Sequence, residues 1–288
     1  MHALRTCPAC AAELAPYAEI DTSRLAEPFF SEELRTRLPA LKYRKCRRCG
    51  SVWACDARRD PELLARCYAA SPQGYWTNLR NDERMHARIA ALLERFAGGR
   101  QLCDVGCGDG RLLMALRTRW RVHGLEAAPA AVKLCRAKDL DVEFGTPANS
   151  DRVGAYDAVT CVDTLEHMLD PVAELSGMAA MLRAGGVLLA ITGDARSWTA
   201  RLSGAAWEYL HCVGHISVLS RAGLCRMLTG AGLSVLTQRG LGHSASVGIR
   251  AWAAVWLGNL WRRFRGYRSR RVPYCHDHQL VIARKPAG

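Results

Sequence analysis

The stretch that most constrains the fold of this chain is residues 102–126, LCDVGCGDGRLLMALRTRWRVHGLE. An apolar run leads into three glycines at alternate positions, Gly106, Gly108 and Gly110, and a second apolar run ends at Glu126. This order predicts a buried parallel strand, a tight turn, a helix and a second strand. Glycine backbone lets a ligand approach the turn closely. An acid at the end of the second strand is placed to accept hydrogen bonds from the two hydroxyls of a ribose.

The spacing of the glycines narrows the choice of ligand. Gly-x-Gly-x-Gly differs from the Gly-x-Gly-x-x-Gly pattern of dinucleotide-binding folds. The segment Asp104-Val-Gly-Cys-Gly-Asp-Gly110 instead resembles the first motif of the class I S-adenosylmethionine-dependent methyltransferases. Residues 155–163 and 182–191 are similar to later strand motifs of that family. The resemblance implies an α/β fold with a Rossmann-like, seven-stranded methyltransferase sheet.

The resemblance also implies a cofactor site. In the family, the first two glycines line the methionine part of S-adenosylmethionine, and the acid after the second strand holds the ribose. An acid after the third strand usually contacts the adenine amino group, but residues 145–149 contain none. Either Asn149 or a backbone group would take that role. The residues expected at the cofactor are Asp104, Gly106, Cys107, Gly108, Gly110, Glu126, Asn149 and Asp163.

Two close cysteine pairs, Cys7-Pro-Ala-Cys10 and Cys46-Arg-Arg-Cys49, lie near the N-terminus. Each pair can supply two thiolates from one tight turn, and two such turns complete a tetrahedral Zn²⁺ site. So short a segment buries too little apolar surface to fold alone, and metal ligation would supply the missing stability. We therefore predict a small N-terminal segment with structural zinc. A redox pair or unligated thiols are the alternatives, and the spare thiol of Cys55 could replace one ligand.

The net charge and the cysteine content indicate which partners and which cellular compartment to expect. The formal net charge of +13 favours an acidic partner such as nucleic acid, anionic lipid or a phosphorylated substrate. The 13 cysteines come without an apolar signal segment in the first residues, MHALRTCPAC. The sequence also lacks an uninterrupted apolar run of about 18 residues. We therefore expect a cytoplasmic protein with reduced thiols, which favours metal binding or burial over disulfides.

Changes in the spacing of cysteines, apolar residues and arginines along the sequence divide the chain into four predicted parts. The parts are a zinc-ribbon-like segment at residues 1–55, a helical connector and lid at 56–100, the cofactor-binding domain at 101–240, and a basic amphipathic helix with the last strand at 241–288. Residues 192–219 form a long insertion within the third part. Long ordered loops at this edge of a sheet commonly carry substrate contacts.

Three residues are candidates for catalysis. Glu166 and His167 lie in the segment Leu-Glu-His-Met-Leu-Asp-Pro, which is similar to a loop of many small-molecule methyltransferases of this class. That loop follows a central strand, where open α/β sheets place ligands. His215 resembles a family histidine that precedes the helix before the sixth strand. The alternative is that Glu166 and His167 only brace the following helix and that His215 is a packed or solvated imidazole.

Residues 249–271 form an apolar stripe at helical spacing, with Trp252, Trp256 and Leu260 among its members, followed by dense arginine. This pattern is typical of a helix that lies in a membrane interface, so we expect peripheral contact with an anionic membrane on its inner face. The competing interpretations are a helix packed on the core with a solvated basic tail, and a nucleic-acid contact.

The function that these features favour is S-adenosylmethionine-dependent methyl transfer to a small-molecule acceptor, with a sugar, a glycan or a lipid-linked intermediate as the expected class. The alternative enzyme is a ribosomal RNA methyltransferase, since a zinc module and net positive charge also fit that class. Against it, no Asn-Pro-Pro-Tyr tetrapeptide, typical of base-flipping enzymes, follows the fourth predicted strand. A non-enzymatic alternative is a zinc-ribbon adaptor with a decayed methyltransferase domain, which the glycines and Glu126 argue against.

Overall fold

The computed structural model describes residues 4–25, 36–69, 83–241 and 277–287, together with residue 257. The strands are β1 Leu14–Asp21, β2 Ala40–Cys46, β3 Val52–Ala54, β4 Gln101–Val105, β5 Arg121–Glu126, β6 Val142–Phe144, β7 Tyr156–Val162, β8 Leu182–Gly193, β9 Ser217–Val218, β10 Ser234–Leu241 and β11 His278–Arg284. The helices are α1 Pro61–Ala69, α2 Glu83–Phe96, α3 Arg111–Leu116, α4 Pro129–Arg136, α5 Pro171–Met181, α6 Trp198–Ser203 and α7 Arg221–Gly230.

The larger sheet has seven strands in the order β10-β11-β8-β7-β4-β5-β6. Strands β4 to β8 pair in parallel, whereas β11 runs antiparallel to both β8 and β10. The central strands are apolar runs because helices cover the sheet, and Leu102, Val159 and Leu189 are fully buried. The predicted Rossmann-like, seven-stranded sheet is confirmed. The carboxyl ends of β4, β5, β7 and β8 lie along one edge, where ligands bind in such sheets.

A second, antiparallel sheet of four strands has the order β1-β2-β3-β9. Its first three strands come from the predicted zinc-ribbon-like segment, but β9 comes from the insertion at residues 192–219. Trp53 pairs with Ser217 and Val52 with Val218, and the Ala54 N–H donates to the Ile216 carbonyl at 2.8 Å. This pairing could not be predicted from the sequence, because a strand of two residues shows no periodic pattern of apolar residues.

The two sheets share a buried core, because Leu14 and Trp53 of the N-terminal sheet lie in one cluster with Val159 of β7. In a second cluster, Tyr43 of β2 packs with Trp207 of the insertion. The insertion therefore joins the N-terminal strands to the carboxyl edge of the larger sheet. The domain boundaries given above remain a prediction.

Two expectations fall on residues that the structure does not describe. The basic stripe at 249–271 lies outside the described residues except for residue 257, and so does the part of the expected lid at residues 70–82. Within the described part of the chain, every helix is too short or too polar to cross a membrane.

Candidate active site

The glycine turn connects β4 to α3 and brings bare backbone to the carboxyl edge of the sheet. Gly106, Gly108 and Gly110 have positive φ angles of 70°, 55° and 80°, a conformation that side chains disfavour. A Cβ at position 106 would overlap the side chain of Thr164, which follows β7. Only glycine fits at this position, since a side chain would both strain the turn and fill the space beside it.

Glu126 ends β5 and faces the turn. Its carboxylate is buried and accepts one hydrogen bond from the Gly108 N–H at 2.9 Å and another from the Ala128 N–H at 2.8 Å. Burial raises the pKa of Glu126, while these two N–H groups oppose the rise by stabilising the charged form. Two carboxylate oxygens offer about four acceptor positions. The group is therefore held in place and retains acceptor capacity for hydroxyls.

Asp104 lies inside the sheet on β4, next to the strand that ends in Glu126. It is buried and accepts a hydrogen bond from the Thr160 hydroxyl at 2.6 Å, which links β4 to β7. Burial raises the pKa of Asp104 to about 7, although the Thr160 hydroxyl opposes the rise. The structure places Cys107 within the turn, where its thiol contacts that of Cys135 on α4. Cys107 and Cys135 are both buried.

The remaining residues expected at the cofactor flank this turn. Asn149 ends a short 3₁₀ turn, Pro147–Asn149, and its side chain is exposed. Phe144, which is 58% exposed at the end of β6, pairs in register with Glu126. Asp163 directly follows β7 in a left-handed conformation with a φ of 47°. Asn149 and Asp163 thus lie at the same sheet edge as the glycine turn, after β6 and β7.

Glu166 lies on the 3₁₀ turn Leu165–His167 after β7 and is almost completely buried, with 1% exposure. One carboxylate oxygen accepts a hydrogen bond from the Tyr209 hydroxyl, and the other accepts from the Thr192 hydroxyl at 2.7 Å. The Gly193 N–H donates to the Tyr209 hydroxyl oxygen at 2.9 Å. Glu166 is therefore anchored to the end of β8 and to the insertion.

His167 and His215 lie beside this carboxylate, with ring centroids 4.8 Å apart. Burial, reinforced by the nearby His215, lowers the pKa of His167 to about 4, so this imidazole is neutral at pH 7. His215 packs 4.0 Å from the Tyr209 ring. Its Nδ1 lies 2.7 Å from the Tyr209 carbonyl oxygen. A carbonyl only accepts, so Nδ1 carries the proton and Nε2 of the neutral ring carries the lone pair.

Two further titratable residues at this edge did not appear among the sequence candidates. His278 begins β11 and Asp277 directly precedes it, and both are buried. His278 Nδ1 donates to Asp277 at 2.6 Å, and its Nε2 lies 3.5 Å from Asp163. Burial opposes protonation, but the Asp277 hydrogen bond and the charge of Asp163 outweigh it and raise the pKa of His278 to about 9. Asp277 and His278 carry no motif, so only the folded arrangement shows that they lie at this edge.

The N-terminal sheet supports the loop that carries His215. The Tyr43 hydroxyl lies 2.9 Å from the His215 carbonyl oxygen and 2.8 Å from that of Leu210. Arg58 has no exposed surface and donates to the Tyr43 hydroxyl at 2.8 Å and to the Asp56 carboxylate at 2.8 Å. Arg58 also reaches the His215 carbonyl at 3.4 Å. A buried ion pair of the N-terminal part thus fixes backbone of the candidate catalytic loop.

This combination of fold, glycine turn and carboxylate after β5 agrees with the comparison with known families. A sequence profile described as a methyltransferase domain matches residues 75–238, more than half of the chain. The chain belongs to the class I S-adenosylmethionine-dependent methyltransferases. The family resemblance seen in the sequence is confirmed.

Among its curated relatives is a ubiquinone biosynthesis O-methyltransferase of Xanthomonas campestris pv. campestris strain B100. That protein is 32% identical to this methyltransferase over 139 residues, which are 43% of this chain and 58% of that protein. The protein of the same name from Cronobacter sakazakii is 32% identical over 165 residues, 51% of this chain and 68% of that protein. This methyltransferase therefore spans less than two thirds of the length of the first of these relatives.

Solved structures agree with the fold of this methyltransferase. A chain from the complex between the Haloferax volcanii Trm112 methyltransferase activator and a methyltransferase superposes with a TM-score of 0.55 at 21% identity, covering 74% of this chain and 97% of that one. Geranyl diphosphate C-methyltransferase from Streptomyces coelicolor superposes with a TM-score of 0.51 at 17% identity. The match covers 78% of this chain and 97% of that one. Identities this low support the fold alone.

The four cysteines of the two N-terminal pairs come together in this methyltransferase. Their sulfur atoms all lie within 4.8 Å of one another, with Cys7 and Cys49 3.6 Å apart and Cys10 and Cys46 3.4 Å apart. Tetrahedral zinc with Zn–S bonds of about 2.3 Å needs sulfurs about 3.8 Å apart, so the cluster is close to the required size. Cys55 is not part of this cluster.

The cysteine cluster is attached to the larger domain. The Cys49 thiol donates to Ser51 at 3.3 Å, and the Ser220 hydroxyl donates to the Cys49 carbonyl at 2.6 Å. Ser220 is also the residue that caps α7, since its hydroxyl accepts from the Gly223 N–H at 3.0 Å. The second cysteine turn therefore rests on the N-terminus of a helix of the methyltransferase domain.

Proposed function

We propose that this protein transfers the methyl group of S-adenosylmethionine to a hydroxyl oxygen of a small-molecule acceptor, with His215 as the base. The observation that carries the proposal is the His215 ring, which keeps its Nε2 lone pair because Nδ1 donates to the Tyr209 carbonyl. The names of the curated relatives support an oxygen acceptor on a small molecule rather than on RNA. A sugar, a glycan and a lipid-linked intermediate are the acceptor classes that we propose.

The proposed cofactor site consists of the glycine turn, Glu126 and the residues after β6 and β7. The glycine turn would hold the methionine part, and Glu126 would accept hydrogen bonds from the ribose hydroxyls. Asn149 or neighbouring backbone would hold the adenine, and the exposed Phe144 ring lies at the same edge. Asp104 supports the turn from within the sheet, through its hydrogen bond with Thr160.

When bound, S-adenosylmethionine would supply an electrophilic methyl group on a sulfonium, and transfer of that group to the acceptor oxygen would release neutral S-adenosylhomocysteine. His215 Nε2 takes the hydroxyl proton. Glu166 stabilises the imidazolium of His215 that results, and it holds Tyr209 in place through a hydrogen bond. Neutral His167 lies beside the His215 ring. Alignment and exclusion of water supply the rest of the rate increase.

The experiment is to replace His215 by Asn and measure transfer of a radiolabelled methyl group to hydroxylated acceptors, including catechols, sugar nucleotides and quinol lipids. With the best acceptor, we expect kcat to fall about 100-fold or more, the size of a lost general base. Affinity for S-adenosylhomocysteine should stay unchanged. His211→Asn, in the same insertion, serves as the matched control. A kcat within threefold of the control would exclude His215 as the base.

We also propose that Cys7, Cys10, Cys46 and Cys49 hold one structural Zn²⁺. The support is the size and burial of the sulfur cluster and its attachment to α7 through Ser220. Thiolate ligands on two tight turns suit zinc better than a hard cation. The metal would stabilise the N-terminal sheet, which in turn supports the loop of His215.

A further inference from the structure

The exposed face of α6 carries two large apolar side chains outside the proposed active site. Trp198 is 72% exposed and Leu202 is 55% exposed. Residues four apart lie on the same face of a helix, so the two side chains form one apolar surface. A tryptophan so far exposed on a surface is typical of a contact site, because it leaves a large apolar area in water.

Three cations lie on α6, just before it, or on β2 of the N-terminal sheet. The Arg201 guanidinium lies 5.6 Å from the centre of the Trp198 ring. Lys45 of β2 lies 4.6 Å from the ring of Tyr17. The aliphatic part of Arg196 packs over Gly50, where a Cβ would meet its Cδ at 2.8 Å.

Arg196 and Arg201 are exposed, and Lys45 is half-buried. Within the described part of the chain, none of the three forms an ion pair with an acid. Exposed cations beside an exposed apolar pair favour an anionic partner.

We propose that this α6 surface, formed by Trp198, Leu202, Lys45, Arg196 and Arg201, docks the protein on an anionic lipid bilayer. Tryptophan is enriched at membrane interfaces because its ring is apolar and its N–H is polar. Leucine beside it enters the acyl boundary, and cations bind the headgroups. The combination favours a lipid surface over RNA, because phosphate contacts alone would leave Leu202 in water.

The α6 surface is also close in sequence to the proposed active site. Trp207, a few residues after α6, stacks on Tyr209 with ring centroids 4.9 Å apart. Docking through α6 would therefore bring the side of the site that holds Tyr209 and His215 towards the bilayer. A lipid-linked acceptor could then reach the site without leaving the membrane.

The test is cosedimentation of the full chain with vesicles of phosphatidylcholine alone or mixed with phosphatidylglycerol. The wild type should bind the anionic vesicles and bind the neutral ones much less. Trp198→Ala with Leu202→Ala should weaken anionic binding about tenfold or more, since two inserted side chains are lost. Val153→Ala with Leu236→Ala, which removes exposed apolar groups elsewhere, should bind like the wild type.

A second pair of variants tests the charges. Replacing Lys45, Arg196 and Arg201 by Gln should weaken anionic binding about fivefold per charge. The matched control replaces Arg117, Arg121 and Lys133, exposed cations of the larger domain, by Gln. Affinity for S-adenosylhomocysteine verifies that each variant is folded.

Three outcomes would overturn the proposal. The first is a wild type that does not bind anionic vesicles at low salt. The second is a Trp198→Ala, Leu202→Ala variant that binds as tightly as its control, which would assign the binding to residues 249–271. The third is binding that RNA displaces completely and that is insensitive to Trp198, which would identify a nucleic-acid surface instead.

Discussion

The two halves of the proposed active site are built from the chain in different ways. The cofactor half consists of the glycine turn and Glu126, which lie within residues 102–126 and are joined by the Gly108 hydrogen bond. The acceptor half consists of Glu166, His167, Tyr209 and His215. Its loop is held by Tyr43 and Arg58, which are 172 and 157 residues away from His215 in sequence.

This difference indicates how each half should respond to amino-acid substitutions. A single strand-turn-helix unit makes the cofactor half, so one residue in the turn controls it. The acceptor half depends on a second sheet whose first three strands precede the methyltransferase domain. We therefore expect some variants to lose cofactor binding and others to lose methyl transfer while they still bind the cofactor.

The largest effect is expected for Gly106→Arg, which should destroy the cofactor half and spare the N-terminal sheet. The side chain would strain a turn with a φ of 70° and overlap Thr164. Affinity for S-adenosylhomocysteine, measured by calorimetry, should fall at least about 100-fold, or about 2.7 kcal/mol. Gly98→Arg is the matched control, because a Cβ at Gly98 meets nothing within 4 Å.

The outcome for Gly106→Arg also tests the independence of the halves. Zinc content should remain that of the wild type, since the cysteine cluster lies beside the N-terminal sheet and not at the glycine turn. Affinity within twofold of the Gly98→Arg control would mean that the cofactor binds elsewhere.

The next effect is expected for Cys46→Ser with Cys49→Ser, which should damage the acceptor half first. Elemental analysis should find one zinc per chain in the wild type and none in the variant. Loss of a structural zinc removes several kcal/mol of stability from the N-terminal sheet. Methyl transfer should therefore fall at least about tenfold, while affinity for S-adenosylhomocysteine changes less than threefold.

The matched control for the zinc variant is Cys55→Ser with Cys225→Ser. Both thiols are half-buried and lie outside the cluster, so the control should keep its zinc and its activity. Full zinc retention in the Cys46→Ser, Cys49→Ser variant would contradict the ligand assignment. Zinc loss in the control would make Cys55 a ligand instead.

The same contrast explains how far the sequence could predict the site. The glycine turn and Glu126 were predictable, because strand, turn and helix follow one another and each leaves a local pattern. Glu166, His167 and His215 could be named from the family resemblance. The contacts of these residues could not be predicted, because Tyr209 comes from an insertion and His278 from the last strand. Strand β9 could not be predicted either, because two residues are too few to show the alternation of a strand, although β9 joins the N-terminal strands to the insertion.

The last effect is expected on stability, at the junction of the two halves, where His278 lies 3.5 Å from Asp163 and its ring lies 5.5 Å from that of Tyr209. Its pKa is raised from 6.5 to about 9. The folded state therefore binds the proton more tightly than the unfolded state. The resulting stabilisation is fully present below pH 6.5 and is lost as the pH rises through 9.

We expect His278→Gln to remove up to about 3 kcal/mol of unfolding free energy near pH 6, the size that such a shift represents. The difference from the wild type should shrink steadily between pH 7 and 10, because the wild-type imidazole then loses its proton while glutamine has none to lose. Urea unfolding at a series of pH values measures both curves. His211→Gln, at the surface of the insertion, should follow the wild type throughout. A gap that stays constant over this range would mean that His278 acts by packing and not through its charge beside Asp277 and Asp163.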